Sequence, residues 1–333
     1  MRGLEALVDR LHQEHEFSGV VRVDRGGEIE LAAAFGLANR TARIQNRIET
    51  VFAIASGAKG LTALAVASLI EDGSLELSTT ARSVLGHDLP LIDDTVTVEH
   101  LLSHRSGIGD YLDEDAGGAI TDYVLPVAVH ELDTTESYLA VLDGYPTASA
   151  PDERFAYCNG GYVVLALIAE RTSGVPFHEL VQRRVCDPAG MADTAFLRSD
   201  ELPGNAALGY LSTEGPRTNI FHLPVLGSGD GGIYSTVADI ASFWAALFAG
   251  NVVSTALVSE MVRPRSEVPS ESKRYGLGFW LHESSRTVIL EGYDAGVSFR
   301  TLHDSDTGRT CTVISNTSEG AWPLARALQD FLE

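Results

Sequence analysis

A serine and a lysine stand three residues apart in Phe52-Ala53-Ile54-Ala55-Ser56-Gly57-Ala58-Lys59-Gly60-Leu61-Thr62, where an irregular segment gives way to an apolar helix. At that spacing the two side chains share one helix face, with Cβ atoms about 5–6 Å apart. A serine hydroxyl becomes an effective nucleophile when a neighbour takes its proton, and a lysine held beside it is one group able to do so. The helix N-terminus adds backbone N–H donors and a positive dipole end, which suit a developing oxyanion. A capping serine next to a solvated lysine fits the same four residues, so the pair alone leaves both readings open.

Two further stretches carry chemistry-bearing residue types. In Tyr157-Cys158-Asn159 a tyrosine and an asparagine two apart on a loop can enter one cleft. Tyr157 would serve as an acid or base beside a cation, and Asn159 would orient an amide or the lysine. A plain turn into a helix fits equally. In Glu291-Gly292-Tyr293-Asp294-Ala295-Gly296-Val297-Ser298-Phe299 the small residues let backbone approach a ligand, and a strand N–H can complete an oxyanion hole; a tight turn into a strand is the alternative. Gly227-Ser228-Gly229-Asp230-Gly231-Gly232 satisfies G-x-G-x-x-G but lacks the strand–helix–strand context of a dinucleotide site, and reads as a loop lining the cleft. His100 and His104 have metal-ligand spacing without an evident third ligand, and His104 reads as packing beneath the site.

The elements that must position these residues follow from periodicity. Residues 2–15 read as a helix. Strand-like runs at 19–23 and 28–34 flank the hairpin signal Arg25-Gly26-Gly27. The stretch from about 60 to 260 is mostly helical in pattern. It contains a short helix capped by Thr97, a Gly- and acid-rich loop over 109–122 expected to be mobile, a buried helix from Tyr162 to Thr172 stopped by Ser173-Gly174, and a capped helix beginning near Ser235. After about 274 the period returns to strands, at 275–282, 287–291, 297–303 and 310–315, before a last helix over 321–332. Strands at both ends and helices between predict an α+β protein. One antiparallel sheet (residues 1–55 plus about 270–333) would form one lobe and residues about 60–265 a mainly helical second lobe of a single unit.

The chain has 333 residues, 24 Lys plus Arg against 46 Asp plus Glu, and a net charge of −22. That field opposes nucleic acid and anionic membranes. Three cysteines, Cys158, Cys186 and Cys311, make no disulfide framework. The first residues lack the apolar run of a signal peptide, and no segment reads as membrane-spanning. A cytoplasmic location is expected, and nothing in the sequence sets the oligomeric state.

Taken in order, the three motifs resemble those of the penicillin-binding-protein-like serine hydrolases: class C β-lactamases, D-Ala-D-Ala carboxypeptidases, D-aminopeptidases and β-lactamase-fold esterases. That family carries S-x-x-K, Y-x-N and a [KH]-[TS]-G strand motif. Leu101-Leu102-Ser103-His104-Arg105-Ser106-Gly107-Ile108, Phe155 to Tyr162, Gly231 to Asp239 and Tyr275-Gly276-Leu277-Gly278-Phe279 are also similar, over roughly residues 15–325. The resemblance implies a β-lactamase/transpeptidase-like fold and a small acyl substrate. Ser56 would be the nucleophile of an acyl-enzyme, Lys59 the proton acceptor and Tyr157 the proton shuttle. Asn159 would touch substrate or Lys59, and the N–H groups of Ser56 and Gly296 would hold the oxyanion. It implies no metal and no organic cofactor. The third motif departs from the pattern. Tyr293-Asp294-Ala295-Gly296 has no cation, and Asp294 would repel the carboxylate of a lactam or peptide C-terminus. Arg300 has the strand parity to replace that charge, although a surface role suits it better. A neutral ester or small amide is therefore the expected substrate, a D-aminoacyl compound the runner-up, and a non-catalytic binding role the third reading.

Overall fold

A computed structural model of the chain describes residues 2–112 and 117–332. Residues 113–116, part of the 109–122 loop expected to be mobile, lie outside the described residues. The N-terminal helix α1 (Arg2–His15) is followed by β1 (Gly19–Arg25), β2 (Glu28–Phe35) and the short strands β3 (Leu37–Asn39), β4 (Ile44–Gln45) and β5 (Phe52–Ala53). Helices α2 (Ala58–Glu71), α3 (Ala81–Leu85), α4 (Val98–Leu102), α5 (Leu139–Leu142), α6 (Asn159–Ser173), α7 (Phe177–Val181) and α8 (Asp187–Ala189) lead to β6 (Ala195–Phe196) and β7 (Ile233–Ser235). Then come α9 (Val237–Ala249), α10 (Thr255–Met261), β8 (Ser266–Val268), β9 (Lys273–Tyr275), β10 (Trp280–His282), β11 (Thr287–Asp294), β12 (Val297–Asp304), β13 (Arg309–Ser315) and α11 (Ala321–Leu332).

The main sheet has eight strands in the order β2-β1-β13-β12-β11-β10-β9-β8, all antiparallel. The two chain ends meet at β1 and β13, which pair from Gly19↔Ser315 to Arg25↔Arg309. Both residues of the Gly26-Gly27 turn between β1 and β2 have positive φ, 59° and 86°, the conformation a two-residue hairpin needs. Alternation along the strands feeds two layers. Val288 and Leu290 of β11 face the central helices, whereas Ile289 packs with Leu4, Val8 and Leu11 of α1 and Leu324 and Leu328 of α11. The central helices α2 and α6 are buried all round, from Ala58 to Leu69 and from Asn159 to Ala169. An apolar surface on every side marks a helix enclosed by core.

Two segments differ from the sequence reading. The run 275–282 is not one strand: Gly276-Leu277-Gly278-Phe279 forms a turn between β9 and β10, closed by Gly276 N–H to Phe279 O at 2.9 Å. Gly278 has φ 89°, and a Cβ there would lie 2.2 Å from Ala63 Cβ, so the turn seats the sheet edge on α2. The inserted lobe is also less helical than its pattern suggests. Much of 103–158 and 190–232 is loop and single turns, and these loops border the cleft, as long loops in compact domains commonly do.

Candidate active site

Ser56 lies in the single turn Ala55–Gly57 between β5 and α2. Ala55 has φ 44°, an uncommon conformation for a residue with a Cβ, and the turn brings Ser56 to the mouth of α2. Glycine then lets α2 settle on the sheet. A Cβ at Gly57 would be 2.5 Å from Phe299 Cε1, and one at Gly60 would be 2.7 Å from Leu290 Cδ2. On β11, a Cβ at Gly292 would be 2.1 Å from Ile54 O and 3.0 Å from Ser56 N. Gly292 is thus the strand residue against which the serine backbone rests.

Lys59 is 2% exposed, and its Nζ has three oxygen partners: Ser56 Oγ at 2.8 Å, Asn159 Oδ1 at 2.8 Å and the Asp230 carbonyl at 2.9 Å. Two are carbonyl oxygens, which only accept. The serine hydroxyl can accept or donate. An ammonium uses all three positions as a donor. A neutral amine satisfies both carbonyls with its two N–H bonds and turns its lone pair to Ser56 O–H. The same geometry serves both protonation states, which a proton acceptor requires.

Asn159 is fixed in turn. Its backbone N–H donates to Asp110 Oδ2 at 2.6 Å and Gly160 N–H to Asp110 Oδ1 at 2.8 Å, so Asp110 caps α6 from a distant loop. Cys158 Sγ accepts from Gly161 N–H at 3.3 Å, the local capping position for which serine is the more usual residue. Burial raises the Asp110 pKa to about 6, against the lowering effect of its three backbone donors. Burial also pushes the Cys158 thiol well up, which leaves it protonated and inert.

The Tyr157 ring lies 4.9 Å from Lys59 Nζ, measured to the ring centroid. It is held between His104, with centroids 4.3 Å apart, and Trp280, stacked at 6.0 Å. His104 is 1% exposed and has φ 56°. Its Nδ1 accepts from Cys158 N–H at 3.1 Å, which assigns the proton of the neutral ring to Nε2. Burial first, and the Lys59 charge second, hold its pKa well below the ordinary histidine value. His104 therefore packs under Tyr157, while His100 Nδ1 receives Thr97 N–H at the start of α4. Among the described residues no group of three or more His, Cys, Asp and Glu could hold a metal. The Gly227–Gly232 loop crosses α2 and α6: Gly229 O accepts from Thr62 Oγ1 at 2.7 Å, and a Cβ at Gly229 would be 2.1 Å from Tyr162 O.

The third motif differs from its reading in the sequence. Gly296 is the second residue of the β11–β12 turn, with φ 72°, and its N–H donates to Ser318 Oγ at 2.8 Å. The expectation that Gly296 completes the oxyanion hole is corrected accordingly. With Asp294↔Val297 as the pair closing a two-residue turn, hydrogen-bonded and non-bonded pairs alternate down the hairpin. The Tyr293 N–H then points to the opposite edge, where Gly292 meets Ser56. Tyr293 OH donates to Glu319 Oε1 at 2.7 Å. Arg300 is no substitute cation at the cleft, because its Nε pairs with Glu291 Oε1 at 2.9 Å. Lys273 Nζ takes the other oxygen of Glu291 at 2.6 Å. Glu271 Oε2 lies 3.7 Å from Lys273 Nζ, so the site is flanked by two cations set against two carboxylates rather than by a free cation.

Two cavities meet at Ser56 and Tyr293. One, about 310 Å³, is lined by Tyr157, Phe155, Trp280, Glu291 and Trp322. The other, about 70 Å³, reaches between Tyr111, Tyr123, Tyr138, Leu125, Asp230 and Asp294. Sequence reasoning missed Asp110, Asp230 as a carboxylate, Tyr111, Lys273 and Trp280. Asp110 and Asp230 sit in Gly-rich stretches that gave them no periodic signal, and the partners that tie them to the site, Asn159 for Asp110 and Tyr111 for Asp230, are more than forty residues away in sequence.

The family described as Beta-lactamase matches residues 4–330. The putative penicillin-binding protein PbpX of Bacillus subtilis (strain 168) is 31% identical over 314 residues, 93% of this chain and 73% of that protein. Esterase EstB of Burkholderia gladioli is 33% identical over 204 residues, 59% of this chain and 52% of the esterase. The crystal structure of a penicillin binding protein from Bacillus halodurans superposes with a TM-score of 0.91 at 32% identity, covering 97% of this chain and 99% of that one. The chain belongs to the β-lactamase family.

Proposed function

We propose that this β-lactamase-family chain is a serine acyl hydrolase that works through an acyl-enzyme on Ser56, acting on a carboxylic ester or small amide. The observation that carries the reading is the Lys59 amine, buried and hydrogen-bonded at once to Ser56 Oγ, Asn159 Oδ1 and Asp230 O. A lysine with a structural role alone has no need of a nucleophile among its three partners.

In this reading Ser56 Oγ attacks the substrate carbonyl as its proton passes to Lys59. The Ser56 and Tyr293 N–H groups receive the oxyanion. When the tetrahedral species collapses, the carbonyl–leaving-group bond breaks, and a proton reaches the leaving oxygen or nitrogen through Tyr157, which lines the same cavity as Ser56. Water then attacks the acyl-enzyme as its proton passes to Tyr157 and Lys59, and the acyl carbon–Ser56 Oγ bond breaks as that proton returns to Oγ, releasing the acid and free Ser56. Asp294, and a cluster in which Lys273 and Arg300 are set against Glu291 and Glu271, favour an uncharged substrate over a carboxylate-bearing lactam. The family esterase EstB is in keeping with that choice.

Intact-protein mass after brief exposure to an activated short-chain ester, and separately to a penicillin, tests the reading. An ester-derived adduct on Ser56, absent in Ser56→Ala and retained in Cys158→Ala, is the expected result. A long-lived penicillin adduct would replace it with a penicillin-binding role. Folded protein inert to both esters and a fluorophosphonate would favour the non-catalytic role.

A further inference from the structure

The two carbonyl oxygens that flank the Lys59 amine belong to Asn159 and Asp230, and one short stretch of loop reaches both residues. Asp110 accepts the backbone N–H groups of Asn159 and Gly160 at 2.6 and 2.8 Å. Leu112 O accepts from Asn159 Nδ2 at 3.1 Å, which turns the other end of that amide, Oδ1, toward Lys59. Between them, Tyr111 OH donates to the Asp230 carboxylate. Both partners of that bond are buried, at 8% and 9% exposure. The Tyr111 ring is wedged in a small core with Leu132, Tyr138, Val141 and Val163 of α6, and its carbonyl accepts from Tyr123 OH. Asp230 needs the contact. Burial raises its pKa, while the Lys59 charge and the Tyr111 hydroxyl lower it, and a buried carboxylate left without a donor is costly.

Consecutive residues of one segment therefore fix Asn159 on one side and the Gly227–Gly232 loop on the other. A segment that only had to be anchored could use any buried polar group, whereas these bonds converge on the two residues whose carbonyls hold the Lys59 nitrogen. We propose that Asp110-Tyr111-Leu112 is a positioning clamp for Lys59, with the Tyr111–Asp230 hydrogen bond as the arm that keeps the Asp230 carbonyl, and with it the amine, aligned on Ser56 Oγ. The three residues act through Asn159 and Asp230 and take no part in bond making. A neutral amine must keep both N–H bonds on carbonyls to leave its lone pair on Ser56 O–H, so a displaced carbonyl frees the nitrogen to turn. The kinetic consequence rests on the acyl-enzyme reading above; the clamp itself does not.

The test is a double-mutant cycle of Tyr111→Phe and Asp230→Ala, read in protein shown to be folded by circular dichroism. The rate constant for acylation by an activated ester at saturation is expected to fall about tenfold or more in each single variant, with the half-saturating ester concentration unchanged within about twofold. The double variant is expected to be no slower than the worse single one, because both changes remove the same arm. The near-isosteric Asp230→Asn keeps an acceptor for Tyr111 OH and is expected to retain the wild-type rate constant within about threefold at the pH of maximal rate. Losses that multiply in the cycle, or an Asp230→Asn variant as slow as Asp230→Ala, would give Asp230 an effect through charge alone and overturn the proposal. So would a changed half-saturating concentration at an unchanged rate constant, which makes Tyr111 a substrate contact. A lowered urea midpoint with unchanged acylation would likewise overturn it, by making the bond structural only. Crystal structures of wild-type and Tyr111→Phe protein read the clamp without turnover. Movement of the Asp230 carbonyl beyond about 3.5 Å from Lys59 Nζ supports it, even where wild-type protein forms no acyl-enzyme, an outcome that removes the hydrolase reading alone. An Asp230 carbonyl that stays in hydrogen-bond range would overturn the proposal independently of activity.

Discussion

Gly292→Ala puts the placement of the oxyanion hole to its sharpest test. The added Cβ would stand 2.1 Å from Ile54 O, where an ordinary carbon–oxygen contact is about 3.3 Å. Strand and turn must therefore part by roughly 1.2 Å, the difference between that ordinary contact and the clash. Neither side can yield by rotating a side chain, because both contacting groups are backbone. β11 is also held along β12 by eight registered pairs, so the shift falls largely on the Ser56 turn. The Tyr293 N–H, one residue on, then leaves the position it shares with Ser56 N–H. A displacement of about 1 Å at a reacting centre costs on the order of 100-fold in rate, and loss of one oxyanion donor costs about 100- to 1,000-fold. The expected result is acylation by an activated ester slowed at least about 100-fold, measured by rapid mixing and intact mass. Overpacking should add roughly 1–3 kcal/mol of lost stability, read by urea unfolding. Acylation at the wild-type rate in folded Gly292→Ala protein would refute both the Tyr293 assignment and the reasoning from close approach.

Three other outcomes follow from buried polar groups. Asp110 has its pKa raised from 3.8 to about 6, chiefly by burial, so its ionised form costs the fold roughly 3 kcal/mol above pH 6. That cost is relieved as pH falls from about 6 toward 4. Asp110→Asn should remove this contribution, seen as a changed slope of unfolding free energy against pH across that window. His104 has the opposite sign: its folded pKa is depressed by burial and by Lys59, so the unfolded chain takes up the extra proton and stability is lost as pH falls below about 6.5. His104→Gln should lose less stability than wild type between pH 7 and 5 in the same assay. Trp244 Nε1–H donates to Thr301 Oγ1 at 2.9 Å in a fully buried setting. Thr301→Val should cost about 1–3 kcal/mol by leaving that donor without a partner, read as a lowered urea midpoint at unchanged slope.

The parts of this molecule legible in the sequence are those set by short-range physics. The 3.6-residue pattern of α1, the paired glycines of the β1–β2 turn and the stop at Gly174 are local signals, and the elements form where those signals put them. Ser56 and Lys59 share a helix face for the same reason. The third motif was misplaced by a few residues because a turn glycine and a close-approach glycine are alike in sequence. Gly296 is needed for its positive φ, and Gly292 for the absence of a Cβ against Ile54. Only the register of β11 beside the Ser56 turn separates the two. Asp110 escaped notice for a related reason, since a cap supplied across 49 residues leaves none of the spacing that a local capping residue leaves before its helix.

The site also explains why its residues are so dispersed. The oxygens around Lys59 Nζ come from its own helix turn, from a residue 100 positions away and from one 171 positions away. Each belongs to a different body: the α2 entrance, the α6 N-terminus and the Gly227–Gly232 loop. The ammonium is therefore a staple among three segments and, in the proposed reaction, a proton carrier as well, and the two roles pull in different directions. Stapling is strongest when the amine is charged and donates three bonds, whereas proton uptake requires one position to be surrendered to the serine. Asn159 and Asp230 reconcile these demands, because two fixed carbonyls hold the nitrogen in place in either state. Replacing Asn159 by leucine would remove one of them and leave the nitrogen free to turn, so the expected loss is in the rate of acylation more than in substrate affinity.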